Sequence, residues 1–156
     1  MIKKEAPIKT KILFTISTFI FTSLFIFGCL ESVKLPPIDN SFSVEDGNFT
    51  LYVSNQNFKI SKVDIQIKID GKVVVSRYFK VGNQHNWKKF VFSLPKGDHI
   101  LEAHSDQEDV TFTETFNISD KHWAVVAFWC YPETQNEQNP KRFFTFKIRN
   151  EPIYFE

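Results

Sequence analysis

The sequence predicts an all-β protein, a single antiparallel sandwich of about eight strands, and three features point there. Past residue 41 the chain breaks into short runs rich in Val, Ile, Phe, Thr and Tyr. None of these runs keeps a 3.6-residue apolar period for three turns, so no amphipathic helix is expected. Turn-forming groups, Asp70-Gly71 and Pro95-Lys96-Gly97-Asp98 foremost, separate the runs at about the 8 to 12 residue spacing of two-sheet sandwiches.

Residues 1–28 precede this pattern and read as a helical signal peptide. Lys3, Lys4, Lys9 and Lys11 form a basic start offset only by Glu5, and the uncharged stretch 12–27 follows. Its 16 residues fall short of the ~18 to 20 that a membrane-spanning helix needs. The stretch stops at the small residue Gly28, as a cleavage site should. Ile26-Phe27-Gly28-Cys29 resembles the lipobox of bacterial lipoproteins, although Phe27 is larger than the residue usual at its position. That resemblance implies a diacylglycerol on the Cys29 thiol, cleavage before it, and a membrane anchor of acyl chains such as palmitate. It also implies a place in the bacterial cell envelope. Leu30 after the cysteine is not acidic, which in a host with two membranes suggests the outer one. Two or three chains anchor firmly where one is marginal, because each buried CH₂ adds ~0.8 kcal/mol.

Residues 29–41 then form the acylated start and a tether. Pro36-Pro37 sits among Glu, Ser, Lys, Asp and Asn with no sustained periodicity. Residues 42–156 form one domain, since the 128 residues left after cleavage suit one core and not two. Residues 29–156 carry 15 basic against 17 acidic residues, a near-neutral balance that argues against nucleic-acid binding, which needs a basic stripe. With Cys29 acylated, Cys130 has no partner for a disulfide, so stability must come from apolar burial, to which 20 aromatic residues contribute.

The strands follow in order. Residues 48–54 open the domain. Val63, Ile65, Ile67 and Ile69 alternate with Asp64, Gln66 and Lys68, and Asp70-Gly71 turns the chain into residues 72–79 as a two-residue hairpin. Residues 88–94 place Phe90, Phe92 and Leu94 on one face, and Pro95-Lys96-Gly97-Asp98 leads into residues 99–105. Residues 110–118, 122–131 and 142–149 complete the set, the last with Phe144, Phe146 and Ile148 inward. The alternation, with Ile69-Asp70-Gly71-Lys72 and Leu94-Pro95-Lys96-Gly97-Asp98-His99, resembles immunoglobulin-like modules of bacterial surface proteins. The resemblance implies a sandwich and no particular ligand, and the Cys-Trp-Cys core of antibody domains is absent.

Two places invite binding. Residues 122–131 are apolar on both faces, with Trp123, Val125, Ala127, Trp129 and Tyr131 on one and Ala124, Val126, Phe128 and Cys130 on the other. A two-layer sandwich buries only one face, so either Ile153-Tyr154-Phe155 covers the second or it is an aromatic patch. In the latter case Trp123, Trp129 and Tyr131 can stack on sugar rings or peptide side chains. The other place is Gly82-Asn83-Gln84-His85-Asn86-Trp87, where amide side chains beside an indole can read hydroxyls. The same Asn83, Gln84, His85, Asn86 and Trp87 also fit a tight connection whose amides satisfy local backbone.

Metal and catalytic chemistry find little footing. His85, His99, His104 and His122 lack the spacing of a local ligand pair, and Asp106, Glu108 and Asp109 lack the glycine and distal glutamate of a calcium loop. No nucleophile elbow is present, and no cofactor is expected. Glu114 falls on an otherwise apolar face, which calls for a bulge that turns it outward or a cross-sheet cation, with Arg77 placed to serve. The reading is therefore a non-enzymatic, lipid-anchored envelope module that presents its sandwich to a protein or glycan. The alternative is a structural accessory subunit of a larger envelope complex with no ligand of its own, which an open apolar face would favour.

Overall fold

The computed structural model describes residues 34–57, 59–81, 86–131 and 141–155. Eight strands form in these residues and no helix. They are β1 (Phe49–Asn55), β2 (Lys62–Ile69), β3 (Lys72–Lys80), β4 (Lys88–Phe92), β5 (Gly97–Ser105), β6 (Val110–Ile118), β7 (His122–Tyr131) and β8 (Lys141–Arg149). The eight expected strands are all present, with ends that differ by a residue or two. The expected signal peptide and Cys29 lie outside the described residues.

Two four-stranded sheets form, in the orders β4-β1-β7-β8 and β3-β2-β5-β6. All neighbours are antiparallel except β1 and β7, which run parallel from Phe49↔His122 to Asn55↔Phe128. The most deeply buried strands are the middle ones, as their sequences require. Phe49, Leu51 and Val53 of β1, Val63, Ile65, Ile67 and Ile69 of β2, and Ala124, Val126 and Phe128 of β7 are completely buried. Each larger side chain of this kind stabilises the fold by about 1.5 to 3 kcal/mol relative to exposure.

The β2–β3 hairpin turns where the sequence places it, with Asp70 at φ 50° and Gly71 at φ 76°. Both central residues of a type I′ turn need positive φ, a region that Asp tolerates and Gly favours. Beyond the turn the ladder slips, pairing Lys68 with Val73 but Ile67 with Val75. Val74 is the extra residue, and it is buried together with Val75.

Edge position corrects the expectation for Glu114 and Arg77. The β5–β6 register is unbroken, with Glu114 opposite the buried Leu101, so no bulge turns Glu114 outward. It is exposed because β6 is an edge strand. Arg77, opposite Ile65, is likewise exposed on β3, the other edge of the same sheet, so the two cannot pair. Each edge thus carries an inward-registered charge, a device that disfavours pairing with another chain's strand.

Residues 39–44 close one side of the sandwich. Asp39 N–H donates to the Val73 carbonyl of β3 at 2.7 Å, while Val44 N–H and the Phe42 carbonyl bond Val91 and Ser93 beside β4. Backbone hydrogen bonding to the fold thus reaches Asp39, inside the stretch expected as tether. Gly47 follows because the chain passes too close to β4 for a side chain: a Cβ there would collide with the Phe92 carbonyl.

Candidate functional site

The faces of β7 separate as its alternation requires. Ala124, Val126 and Phe128 enter the core, and Trp123, Val125, Ala127, Trp129 and Tyr131 lie on the outer face of their sheet. Trp123 and Trp129 are six residues apart, about 20 Å along a strand, so one site does not hold both.

At the Trp129 end three rings gather. Trp129 pairs with Phe143 of β8 and Tyr131 with Lys141. The Tyr131 ring lies 5.4 Å from Phe143 and 6.4 Å from Trp129. The indole N–H of Trp129 donates to the Thr145 hydroxyl at 3.2 Å, and Lys141 Nζ stands 5.7 Å over the Phe143 ring. Tyr131 is 53% exposed and Trp129 half-buried. This is a ring cluster with one fixed hydrogen bond and an open side. At the other end Trp123 is half-buried beneath Lys121, whose Nζ is 6.0 Å from the ring.

The expected cover forms over a different part of the face. Phe155 stacks on Trp87 at 4.5 Å and meets Tyr52 edge-on at 4.9 Å. Tyr154 beside it is 86% exposed. The C-terminal residues therefore shield the β1 side of the outer face, and Trp87 is held in that contact. Asn86 is exposed, and Asn83, Gln84 and His85 lie outside the described residues.

The amides that sequence reasoning missed are in the β1–β2 connection. Asn55 accepts from Asn57 N–H at 2.9 Å and donates to the Ile60 carbonyl at 2.7 Å. Asn57 accepts from Lys59 N–H and donates to the Cys130 carbonyl, and Gln56 donates to the Ser54 hydroxyl. All three amides are buried and bonded within the chain, Asn55 and Asn57 to backbone and Gln56 to a side chain, which is a structural use of amide chemistry.

The described histidines are also engaged. His104 joins Thr111 and Asp106, and Asp106 in turn accepts from Gln66. His99 is 5% exposed and sits between two acceptors, Asp70 Oδ2 at 2.7 Å from Nδ1 and the Pro95 carbonyl at 2.9 Å from Nε2. Only the doubly protonated ring donates to both. Burial works against the charge, but the bonds to Asp70 and Pro95, aided by the charges of Asp70 and Asp98, hold the ring above its ordinary value. Burial raises Asp70, but the N–H of Ile100, the His99 ring and the charge of Lys72 outweigh it and hold the carboxyl below its ordinary value.

The pH dependence follows from those directions. The His99 contribution is fully present below the unfolded histidine pKa of about 6.5 and is lost as pH rises through the higher folded value. The Asp70 contribution is present above about 3.9 and is lost as pH falls through its lowered folded value. Denaturant titrations at pH 6 and pH 9 should show a loss of stability in the wild type that His99→Gln does not share. Equal losses in both proteins would refute the charged pair.

No protein-family model, curated protein or solved structure matches this chain. Among the described residues no group of three or more His, Cys, Asp or Glu side chains is arranged to hold a metal ion. What remains as a candidate site is the open ring cluster of Trp129, Tyr131 and Phe143.

Proposed function

We propose that this protein is a lipid-anchored module of the bacterial envelope, an immunoglobulin-like sandwich that displays an aromatic corner to a protein or glycan partner. The observation that carries the binding role is the exposure of Tyr131 beside Phe143 and Trp129 on the outer face of a sheet whose inner face already supplies the core. Aromatic faces held rigidly in a sheet contact a sugar ring or an apolar side chain at little cost in conformational entropy. Lys141 and the Thr145 hydroxyl at the same corner add polar groups that orient such a partner. The anchor rests on the sequence Ile26-Phe27-Gly28-Cys29 and the basic and apolar segments before it.

Display is favoured over service as an accessory subunit by the size of the open area. Phe155 shields the Tyr52 and Trp87 side of the same face, leaving a corner of three rings. Permanent subunit interfaces run to roughly 2,000 Å² or more and resemble a core cut in half.

Two experiments test the reading separately. Metabolic labelling with a palmitate analogue should mark the wild type and not Cys29→Ser, and an unlabelled wild type would remove the anchor. A crosslinked pull-down from intact envelopes should recover a partner with the full chain and at least tenfold less with Trp129→Ala/Tyr131→Ala. Equal recovery from a folded double variant would remove the aromatic corner as the binding face.

A further inference from the structure

The chain between Asp70 and Asp98 contains no acidic residue, yet it holds Lys72, Arg77, Lys80, Lys88, Lys89 and Lys96. In a domain whose charges otherwise nearly balance, this is a concentration of one sign. The fold gathers part of it. Arg77 and Lys80 from the end of β3, Lys88 at the start of β4 and Asn86 two residues before it line a cleft of about 300 Å³ together with Tyr78 and Phe79.

Several features make this cleft suited to an anion. Ion pairs elsewhere in the domain take Lys68, Lys121 and Arg142, but among the described residues Arg77, Lys80 and Lys88 have no carboxylate partner. All three are exposed. Lys62 stands directly opposite Lys80 in the β2–β3 ladder, and like charges in that position repel. The Lys62 ammonium lies over the Tyr78 ring at 4.1 Å, which keeps a further positive charge near the cleft. A bound anion would relieve the repulsion that the fold leaves uncompensated.

We propose that this cleft binds a phosphoryl group. A carboxylate brings one negative charge, whereas a phosphate monoester brings about −1.5 to −2 at pH 7 with three acceptor oxygens. Three cations lining one cleft, one a planar guanidinium able to bond two oxygens at once, match the larger charge. The Asn86 amide adds a group able to bond a neighbouring hydroxyl, and a cleft of about 300 Å³ is of small-ligand size. The site lies apart from the Trp129–Tyr131 corner and does not depend on the function proposed for it.

The test is calorimetric titration of the full chain in nonionic detergent with glucose 6-phosphate, inorganic phosphate and glucose. A parallel arm uses micelles doped with phosphatidylglycerol. Glucose 6-phosphate should bind and glucose should not, with affinity at least tenfold weaker in Arg77→Gln and in Lys88→Gln and unchanged in Trp129→Ala. Binding to the doped micelles alone, lost in the same two variants, would assign the phosphoryl group to a lipid headgroup and uphold the site. Binding that both variants retain at wild-type strength, an adventitious ion only, would overturn the proposal, as would no binding in any arm. Circular dichroism of both variants excludes misfolding, since their side chains are exposed at strand edges.

Discussion

Asp64→Ala should cost this domain about 3 kcal/mol or more, a loss readable by denaturant titration and as a fall of roughly 10 °C in melting temperature. Asp64 is completely buried, yet it faces away from the core and under the β5–β6 turn. Its carboxylate accepts from the Ser105 hydroxyl at 2.6 Å, Asp106 N–H at 2.9 Å and Gln107 N–H at 3.2 Å. Ser105 in turn accepts from Glu108 N–H, so one side chain on β2 organises the whole turn. Hydrogen bonds to a charged group contribute ~1.5 to 3 kcal/mol each, and removing the acceptor strips the buried Ser105 hydroxyl and two part-buried N–H groups of their partner. Asp64→Asn should lose less, because it keeps one acceptor oxygen, but its NH₂ must meet a backbone donor. A melting temperature for Asp64→Ala within 2 °C of wild type would show that water or another group takes over those donors.

The strand content was legible because each strand has a periodic face and a turn with a mechanical reason. Val63, Ile65, Ile67 and Ile69 announce β2, and Asp70-Gly71 supplies two positive-φ positions where the hairpin needs them. Pairing partners were not legible in the same way. The parallel contact of β1 with β7 joins segments some seventy residues apart, and no local preference encodes it. Periodicity misled only at Val73: the bulge at Val74 turns it to the face of Lys68, while Arg77, opposite Ile65, keeps the inward register that the step count gives it. Glu114 was read as needing compensation because alternation gives the direction of a side chain, not the depth of the layer above it. At an edge strand that depth is small.

The candidate site was legible as a segment and not as a geometry. Apolar residues on both faces of β7 marked the outer aromatic row, and Trp129 and Tyr131 do form one end of it. Phe143 joins them across the β7–β8 ladder, a neighbour that only the register supplies. Amide clusters misdirect more easily, because Asn and Gln bind ligands and backbone with the same chemistry. The Asn55, Gln56 and Asn57 group gave no outward sign that its partners were the Ile60 and Cys130 carbonyls, and the latter comes from a distant strand. Arg77 and Lys88 were likewise invisible as a pair until β3 and β4 brought them to one cleft.

Phe116→Ala should destabilise the domain by about 3 to 5 kcal/mol, a large share of the ~5 to 15 kcal/mol that holds most domains together. Phe116 is 5% exposed on β6, an edge strand, yet its ring joins both sheets. It stacks on Phe49 of β1 at 5.0 Å, meets Phe146 of β8 at 5.7 Å, and faces the His99 ring of its own sheet at 5.6 Å. Truncation leaves a cavity whose walls are fixed by two hydrogen-bonded sheets, so collapse to fill it is limited and the cost lies high in the range for its type. Phe112, four residues earlier on the same face, is only half-buried, and Phe112→Ala should lose less than half as much. Phe116→Leu, which keeps most of the apolar volume, should fall near 1 to 2 kcal/mol. Denaturant midpoints for the three variants decide the matter: if Phe112→Ala costs as much as Phe116→Ala, the ring that joins the sheets is not where the stability of this sandwich is concentrated.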